Sequence, residues 1–332
     1  MGYTPNETRY QHMKYNAVGR SGLKLPSVSL GLWHNFGNGT AYDSSRNLVL
    51  GSFDMGITHF DIANNYGPPP GAAEKTFGRI LKEDLADYRD ELIVSSKAGY
   101  YMWSGPYGEW GSKKSLVTSI DQSLKRTGLD YFDIFYHHRP DPNTPIEETM
   151  DALKHIVKSG KALYAGISNY NAAQADTALA TAKGMKLKIL IHQVNYSMFN
   201  REMPEALFPV LEKHGTGAIA FSCLAQGLLS TKYFDGIPQN SRAAGASVFL
   251  TPESITPEKV EMAKKLNAIA QERGQTLSQM ALAWVMRQEC IASVLVGASS
   301  FAQIAENVQF MAKASFSQDE LAAIDNILKV TK

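Results

Sequence analysis

Residues 131–167 read YFDIFYHHRPDPNTPIEETMDALKHIVKSGKALYAGI, and the order of hydrophobic periods within them decides the fold. Tyr131–Tyr136 is a short aromatic and β-branched run, the pattern of a buried strand. A Pro/Asp/Asn turn follows, then an amphipathic helical stretch, Ile146–Lys158, and then a second strand-like run, Ala162–Ile167. Strand, helix, strand at this spacing is a βαβ unit, whose two strands lie parallel. The same alternation extends in both directions. Further strand-like runs are Val28–Leu32, Thr58–Ile62, Glu91–Ser96, Ile189–Asn195, Thr216–Phe221 and Ser293–Val296. Helical patterns separate them at Asp43–Met55, Ala72–Leu81, Ser112–Thr127, Asn171–Lys183, Pro204–His214 and one long stretch, Pro257–Arg287; Phe301–Phe310 follows the last strand. Eight strands, each followed by a helix, predict an α/β fold, the closed parallel (β/α)8 TIM barrel, and an open doubly wound sheet is its competitor.

Around that core, Tyr15–Val18 and Leu23–Leu25 flank Gly19-Arg20-Ser21-Gly22, a hairpin suited to lid one barrel end. A long polar loop after strand 7, Ser222–Ser254, exceeds an ordinary connection and is expected to be functional. Ser317–Leu328 reads as a helix outside the repeats. The expected organisation is one domain over residues 15–330, with 1–14 as an N-terminal extension. Of the 332 residues 44% are apolar, and 33 basic against 32 acidic side chains leave a formal charge of +1. That balance argues against nucleic-acid and anionic-membrane partners and against a disordered chain. Cys223 and Cys290 are too few for a disulfide scaffold, and no apolar leader or bilayer-length run is present, so a cytoplasmic protein is expected.

Barrel active sites form at the C-terminal ends of the strands. Reading those ends in order gives Asp61 and Tyr66, then Lys97, His137-His138, Ser168-Asn169, Gln193, Phe221-Ser222 and Gly297. Spaced about one βα unit apart, these residues should converge on one mouth. A lysine there loses hydration and needs a counter-charge, which Asp61 on the neighbouring strand supplies; the pair alone reads equally as structural. Tyr66, in the turn Asn64-Asn65-Tyr66-Gly67, makes it chemical, because an adjacent ammonium favours phenolate and makes the phenol a proton donor. Alone it would be a loop tyrosine. Strand alternation sends only one of His137 and His138 into the mouth, and the pattern does not say which.

With Asp61, Tyr66, Lys97 and His138 in this order, the chain resembles the aldo-keto reductases from about Tyr15 to its C-terminus. Supporting stretches are Leu30-Gly31-Leu32-Trp33, Phe60–Gly67, Gly166-Ile167-Ser168-Asn169 and Leu295–Ser299. The turn Asn65–Gly71 and Ala225–Leu229 are similar to the bacterial subgroup that reduces L-glyceraldehyde 3-phosphate and to its relatives, the potassium-channel β subunits. The resemblance implies Tyr66 as general acid, Lys97 as the neighbour that lowers its pKa, Asp61 as the lysine's partner and His138 as the group orienting the carbonyl. It implies NADPH/NADP+ across the barrel mouth. Ser168, Asn169 and Gln193 would hold the carboxamide and Phe221 would stack on the nicotinamide. Ser222, Leu224, Gln226, Gly227 and Leu228 would wrap the pyrophosphate, and Lys232 and Arg242 would grip the 2′-phosphate. Trp33, Asp61, Gly297, Ser299, Gln303, Glu306 and Asn307 complete the implied cofactor contacts. Two cations near the 2′-phosphate favour NADPH over NADH. The N-terminus of Phe301–Phe310 suits a phosphate, and Ser300 with Gln303 also reads as a capping pair. Where the wider family has a proline after the strand-7 serine, this chain has Cys223, and the strand-8 Lys/Arg phosphate grips are absent.

The expected substrate is a small aldehyde such as L-glyceraldehyde 3-phosphate or methylglyoxal, held by Trp33, Tyr66, His138 and Trp103. The channel-β resemblance also allows a nicotinamide-sensing regulatory subunit with weak reductase activity, and the subgroup implies a homo-oligomer, a tetramer or octamer. The aromatic loop Gly99–Gly111 reads as a pocket wall or as a rim or subunit contact. Gly215-Thr216-Gly217 imitates a dinucleotide fingerprint but precedes a strand instead of opening a helix. No histidine spacing suggests a metal, and Cys223 lacks a paired base.

Overall fold

The computed structural model describes residues 2–239, 241–245 and 250–329, Arg242 by its backbone only. β1 (Tyr15–Ala17) and β2 (Lys24–Pro26) form the antiparallel hairpin. The barrel then runs β3 (Val28–Gly31), β4 (His59–Asp61), β5 (Ile93–Ala98), β6 (Phe132–His137), β7 (Ala162–Ser168), β8 (Ile189–Asn195), β9 (Gly217–Phe221) and β10 (Ile291–Val296). Every neighbouring pair is parallel, and β10 pairs both β9 and β3, with Leu295 opposite Ser29. That last pairing closes the sheet and rules out the open doubly wound alternative.

The helices are α1 (Tyr42–Asp54), α2 (Ala72–Ile80), α3 (Lys113–Thr127), α4 (Ile146–Lys158), α5 (Ala172–Gly184), α6 (Glu202–His214), α7 (Pro257–Glu272), α8 (Leu277–Met286), α9 (Phe301–Val308) and α10 (Gln318–Leu328). The stretch expected as one helix over Pro257–Arg287 is two. Gly274 takes φ +67°, a left-handed stop, and Thr276 restarts the chain with a reciprocal cap to Gln279. The Thr-x-x-Gln spacing carried that signal in the sequence.

Strand alternation divides two cores. Outward residues such as Phe60, Val94 and Phe135 pack against the helices, where Phe53 and Phe77 are also fully buried, each phenyl contributing about 1.5–3 kcal/mol. Inward, Ile134, Tyr136, Ile191 and Ile219 fill part of the barrel, and Val18 and Leu25 of the hairpin region join them. The hairpin turn binds the start of β9 through Arg20 N–H to Gly215 O at 2.9 Å. It therefore lids the N-terminal end, leaving the opposite mouth clear. Tyr136 fits because β7 carries Gly166 beside it: a Cβ there would lie 2.4 Å from the ring. The N-terminal extension packs on the barrel wall, with Tyr3 donating to Asp54 at 2.8 Å and Arg9 paired to Glu91 at 2.6 Å. No helix among the described residues is long and apolar enough to cross a membrane.

Candidate active site

β4 and β5 set the centre. Asp61 is the last residue of β4, and β5 runs past the expected Ser96 to Ala98, so Lys97 projects from the strand itself. Both are fully buried, and Lys97 Nζ donates to Asp61 Oδ2 at 2.5 Å and to the Ile62 carbonyl at 2.7 Å. Burial pulls the Lys97 ammonium below its ordinary value, opposed by Asp61 and then Glu74. Asp61 Oδ1 accepts from Ser95 Oγ at 2.6 Å and Gln193 Nε2 at 3.2 Å.

Tyr66 is carried by a turn tied at both ends, its N–H to Ala63 O and its carbonyl to Ala73 N–H. Its ring lies 4.8 Å from Lys97 Nζ. Burial first, then Asp61 and Tyr100, push the phenol well above its ordinary value, so at rest it holds its proton. His138 follows β6, its ring 5.9 Å from that of Tyr66 at 70°. Burial, then Lys97, His137 and Arg139, hold its imidazole well below its usual value, hence neutral. His137 faces outward, its Nδ1 2.6 Å from Tyr170 Oη, which resolves the choice that the sequence pattern left open. Asp61, Tyr66, Lys97 and His138 thus gather at one mouth.

Trp33 flanks them, its ring 6.0 Å from Tyr66. Asn169 takes φ +63°, and its Nδ2 donates to His138 O and to the buried Ser168 Oγ. Gln193 spends an amide proton on Asp61. The aromatic loop divides: Tyr100 packs edge-on against His138 at 4.6 Å and Trp110 stacks on Arg139, whereas Tyr101 and Tyr107 are exposed. Trp103 lies half-buried beside Gly108, with no ring contact to the four central residues among the described ones.

Beyond β9, Phe221 is half-buried, and Ser222, Ala225 and Gln226 take φ of 55°, 46° and 58° before Gly227 at 102°. Successive amides in left-handed turns of this kind can cradle anions. Leu224 is half-buried, and the Leu228 side chain joins Tyr233, Ala243 and Leu250 in a small core of the loop. Lys232 is exposed, and the Arg242 side chain lies outside the described residues. At α9, Ser300 makes no side-chain cap; Gln303 Oε1 accepts from Ser299 N–H and Oγ instead, one residue off the expected pair. Glu306 is exposed, Asn307 buried, and Gly297 lies near Gly31 O. Cys223 donates to Ala220 O at 3.1 Å, and burial pushes its thiol up, leaving it unreactive.

What the sequence reading missed lies one pleat deeper. Ser29, His59, Ser95 and Ser293 are buried and mutually hydrogen-bonded inside the barrel. The signal was present as His59-x-Asp61 and Ser95-x-Lys97, two residues apart on one strand face.

Known proteins are similar to this chain over nearly its whole length. The Aldo/keto reductase family profile matches residues 27–329. The chain is 53% identical over 329 residues to the L-glyceraldehyde 3-phosphate reductase of Escherichia coli strain K12, covering 98% of this chain and 95% of that one. It is 36% identical over 301 residues to a probable voltage-gated potassium channel subunit beta of Arabidopsis thaliana, covering 90% of each. An aldo-keto reductase from Bacillus halodurans, solved in its holo form, superposes with a TM-score of 0.78 at 25% identity, over 95% of this chain and 96% of that one.

Proposed function

This chain belongs to the aldo/keto reductase family, and on that premise we propose that it reduces small aldehydes to primary alcohols with NADPH. L-glyceraldehyde 3-phosphate, named for the bacterial relatives, and methylglyoxal head the substrate class. The observation that carries the reading is the buried Lys97–Asp61 pair by the face of Tyr66, with a neutral imidazole edge-on to the same ring.

The residues present fit the cofactor. The left-handed loop Ser222–Gly227 and the uncapped first turn of α9 offer amides to phosphates. Asn64 Oδ1, Asn65 Oδ1 and His138 Nδ1 are buried polar atoms with no partner among the described residues, as expected around a polar ligand. Ser168, Asn169 and Gln193 would hold the carboxamide, Phe221 the ring face, and Lys232 with Arg242 the 2′-phosphate. When bound, the dihydronicotinamide supplies a hydride from C4 to the carbonyl carbon.

The protein supplies the proton. Burial keeps the Tyr66 hydroxyl protonated until a carbonyl oxygen gains negative charge beside it. The phenol then donates its proton to that oxygen, giving the alcohol. Lys97, with one N–H beyond those on Asp61 and Ile62, stabilises the resulting phenolate. Asp61 stops the ammonium from discharging in its dry site. His138 donates a hydrogen bond to the carbonyl oxygen and fixes its direction. Trp33 and Tyr100 wall off water.

The test is NADPH consumption with a panel of short aldehydes. Rapid turnover, reduced about 100-fold or more in Tyr66→Phe with NADPH binding intact, supports the assignment. Tight NADPH binding with negligible turnover in the unaltered protein overturns it and favours a nicotinamide-sensing regulatory subunit. A cytoplasmic homo-oligomer completes the proposal, and sedimentation reads that state.

A further inference from the structure

Beneath the Lys97–Asp61 pair, a line of side chains crosses the barrel interior that proton donation by Tyr66 does not itself require. Ser293 Oγ lies 2.6 Å from Ser29 Oγ, Ser29 Oγ 2.8 Å from His59 Nδ1, His59 Nε2 3.0 Å from Ser95 Oγ, and Ser95 Oγ 2.6 Å from Asp61 Oδ1. All five are fully buried strand residues of β3, β4, β5 and β10, with Asp61 at the top.

The chemistry of the upper end fixes every proton in the line. The Asp61 carboxylate only accepts, so the single Ser95 hydroxyl proton goes to Oδ1. Ser95 can then only accept from His59, which places the ring proton on Nε2. A neutral imidazole has one N–H, and burial pushes His59 down to about 4, so Nδ1 is bare and accepts from Ser29. The Ser29 proton is thereby spent, and Ser293 donates to Ser29. Lys97 and Glu74 are the charged groups nearest the upper end, with the phenols of Tyr66 and Tyr136 and the His138 imidazole facing Asp61 and Lys97. Of the charged groups, Asp61 favours and Lys97 opposes a proton on His59, whose ring nitrogens hydrogen-bond only Ser29 and Ser95 among the described residues.

We propose that His59 is a positioning residue of the active site: its Nε2–H, locked by Ser29 and Ser293, commits the Ser95 hydroxyl to Asp61 Oδ1 and so holds Oδ2 on Lys97. The proposal rests on the reductase reading for its kinetic consequence, but the ring tautomer does not. Without the imidazole, the Ser95 hydroxyl is free to rotate and its lone pair is buried unpaired, so Oδ1 keeps only the longer Gln193 contact and the carboxylate and its ammonium are held less firmly beside the phenol.

Two measurements test this. In the unliganded, 15N-histidine-labelled protein at pH 7, the resonance missing from His59→Gln identifies His59, and its nitrogen shifts should report the neutral Nε2–H form. An Nδ1–H tautomer or an imidazolium overturns the proposal whatever the activity. In steady-state kinetics His59→Leu should lower kcat by about 10-fold or more with both KM values within about 2-fold, as for other outer-shell orienting groups. His59→Gln, which keeps a donor toward Ser95, should recover most of that loss. Ser95→Ala should match His59→Leu, and the double variant should be no worse than either, because both break the same link. Phe60→Leu, on the outward face of the same strand, is the control for lost packing and should keep kcat. Full kcat in His59→Leu, or losses that multiply in the double variant, refute the positioning role. Absent turnover in the unaltered protein sinks the reductase reading instead, and leaves the tautomer to decide this one.

Discussion

Acidification should destabilise this fold in a countable way, and His192 is the place to count. His192 is fully buried, its Nε2 is 3.1 Å from the Tyr170 carbonyl, and its Nδ1 has no partner among the described residues. Burial pushes it down to about 4, against the pull of the Tyr170 carbonyl. His59 and His137 are pushed to about 4 by burial as well, and His138 lies well below the ordinary value. An unfolded histidine titrates near 6.5, so between that pH and about 4 the unfolded chain carries protons that the folded one refuses. Stability is therefore complete above about pH 6.5 and lost as pH falls. At pH 5 the loss is roughly 2 kcal/mol per histidine, about 1.5 units at ~1.36 kcal/mol each. The paired surface carboxylates held low, such as Glu83 and Asp151, release their share mostly below this window. Urea unfolding at pH 7, 6 and 5 reads the slope directly. His192→Gln keeps a donor for the Tyr170 carbonyl but cannot take up a proton. Its stability should fall about 2 kcal/mol less than that of the unaltered chain between pH 7 and 5. Identical pH slopes for the two proteins would refute the reasoning.

Other perturbations have equally definite outcomes. Lys97→Met leaves Asp61 as an unpaired buried charge, and thermal unfolding should show a loss of about 3–5 kcal/mol together with lost aldehyde turnover. Gly166→Ala drives a Cβ into the Tyr136 ring and should cost about 1–3 kcal/mol; adding Tyr136→Leu should return part of it. Lys232→Ala should raise the KM for NADPH about 10-fold, the equivalent of ~1.4 kcal/mol, and leave the KM for NADH unmoved, as competing cofactor assays would show.

The barrel was legible because its strands are buried on both faces and its helices on one, a contrast that hydrophobic period records. Strand ends then ordered the functional residues, since Asp61, Lys97 and His138 each sit where a strand meets its loop. Two things escaped that reading. The break at Gly274 was hidden because the residues of α7 and α8 both carry helical patterns, and only local cap chemistry separates them. The interior line from Ser293 to Asp61 was hidden because serines and a histidine on strands look like minor interruptions until closure sets β10 against β3. The Leu228 side chain, in the loop that the resemblance gives to the cofactor, packs inward, since a loop this long needs a small core of its own.

The seam between β3 and β10 joins residues from opposite ends of the chain, Ser29 to Ser293. Nothing emerging earlier from a ribosome can substitute for that contact. A nascent chain stopped before β10 would display a curled seven-stranded sheet with two unpaired borders, prone to pairing with its neighbours. It would also lack the Ser293 hydroxyl at the far end of the interior line. Synthesis of the final strand thus closes both borders and completes the interior line in the same event.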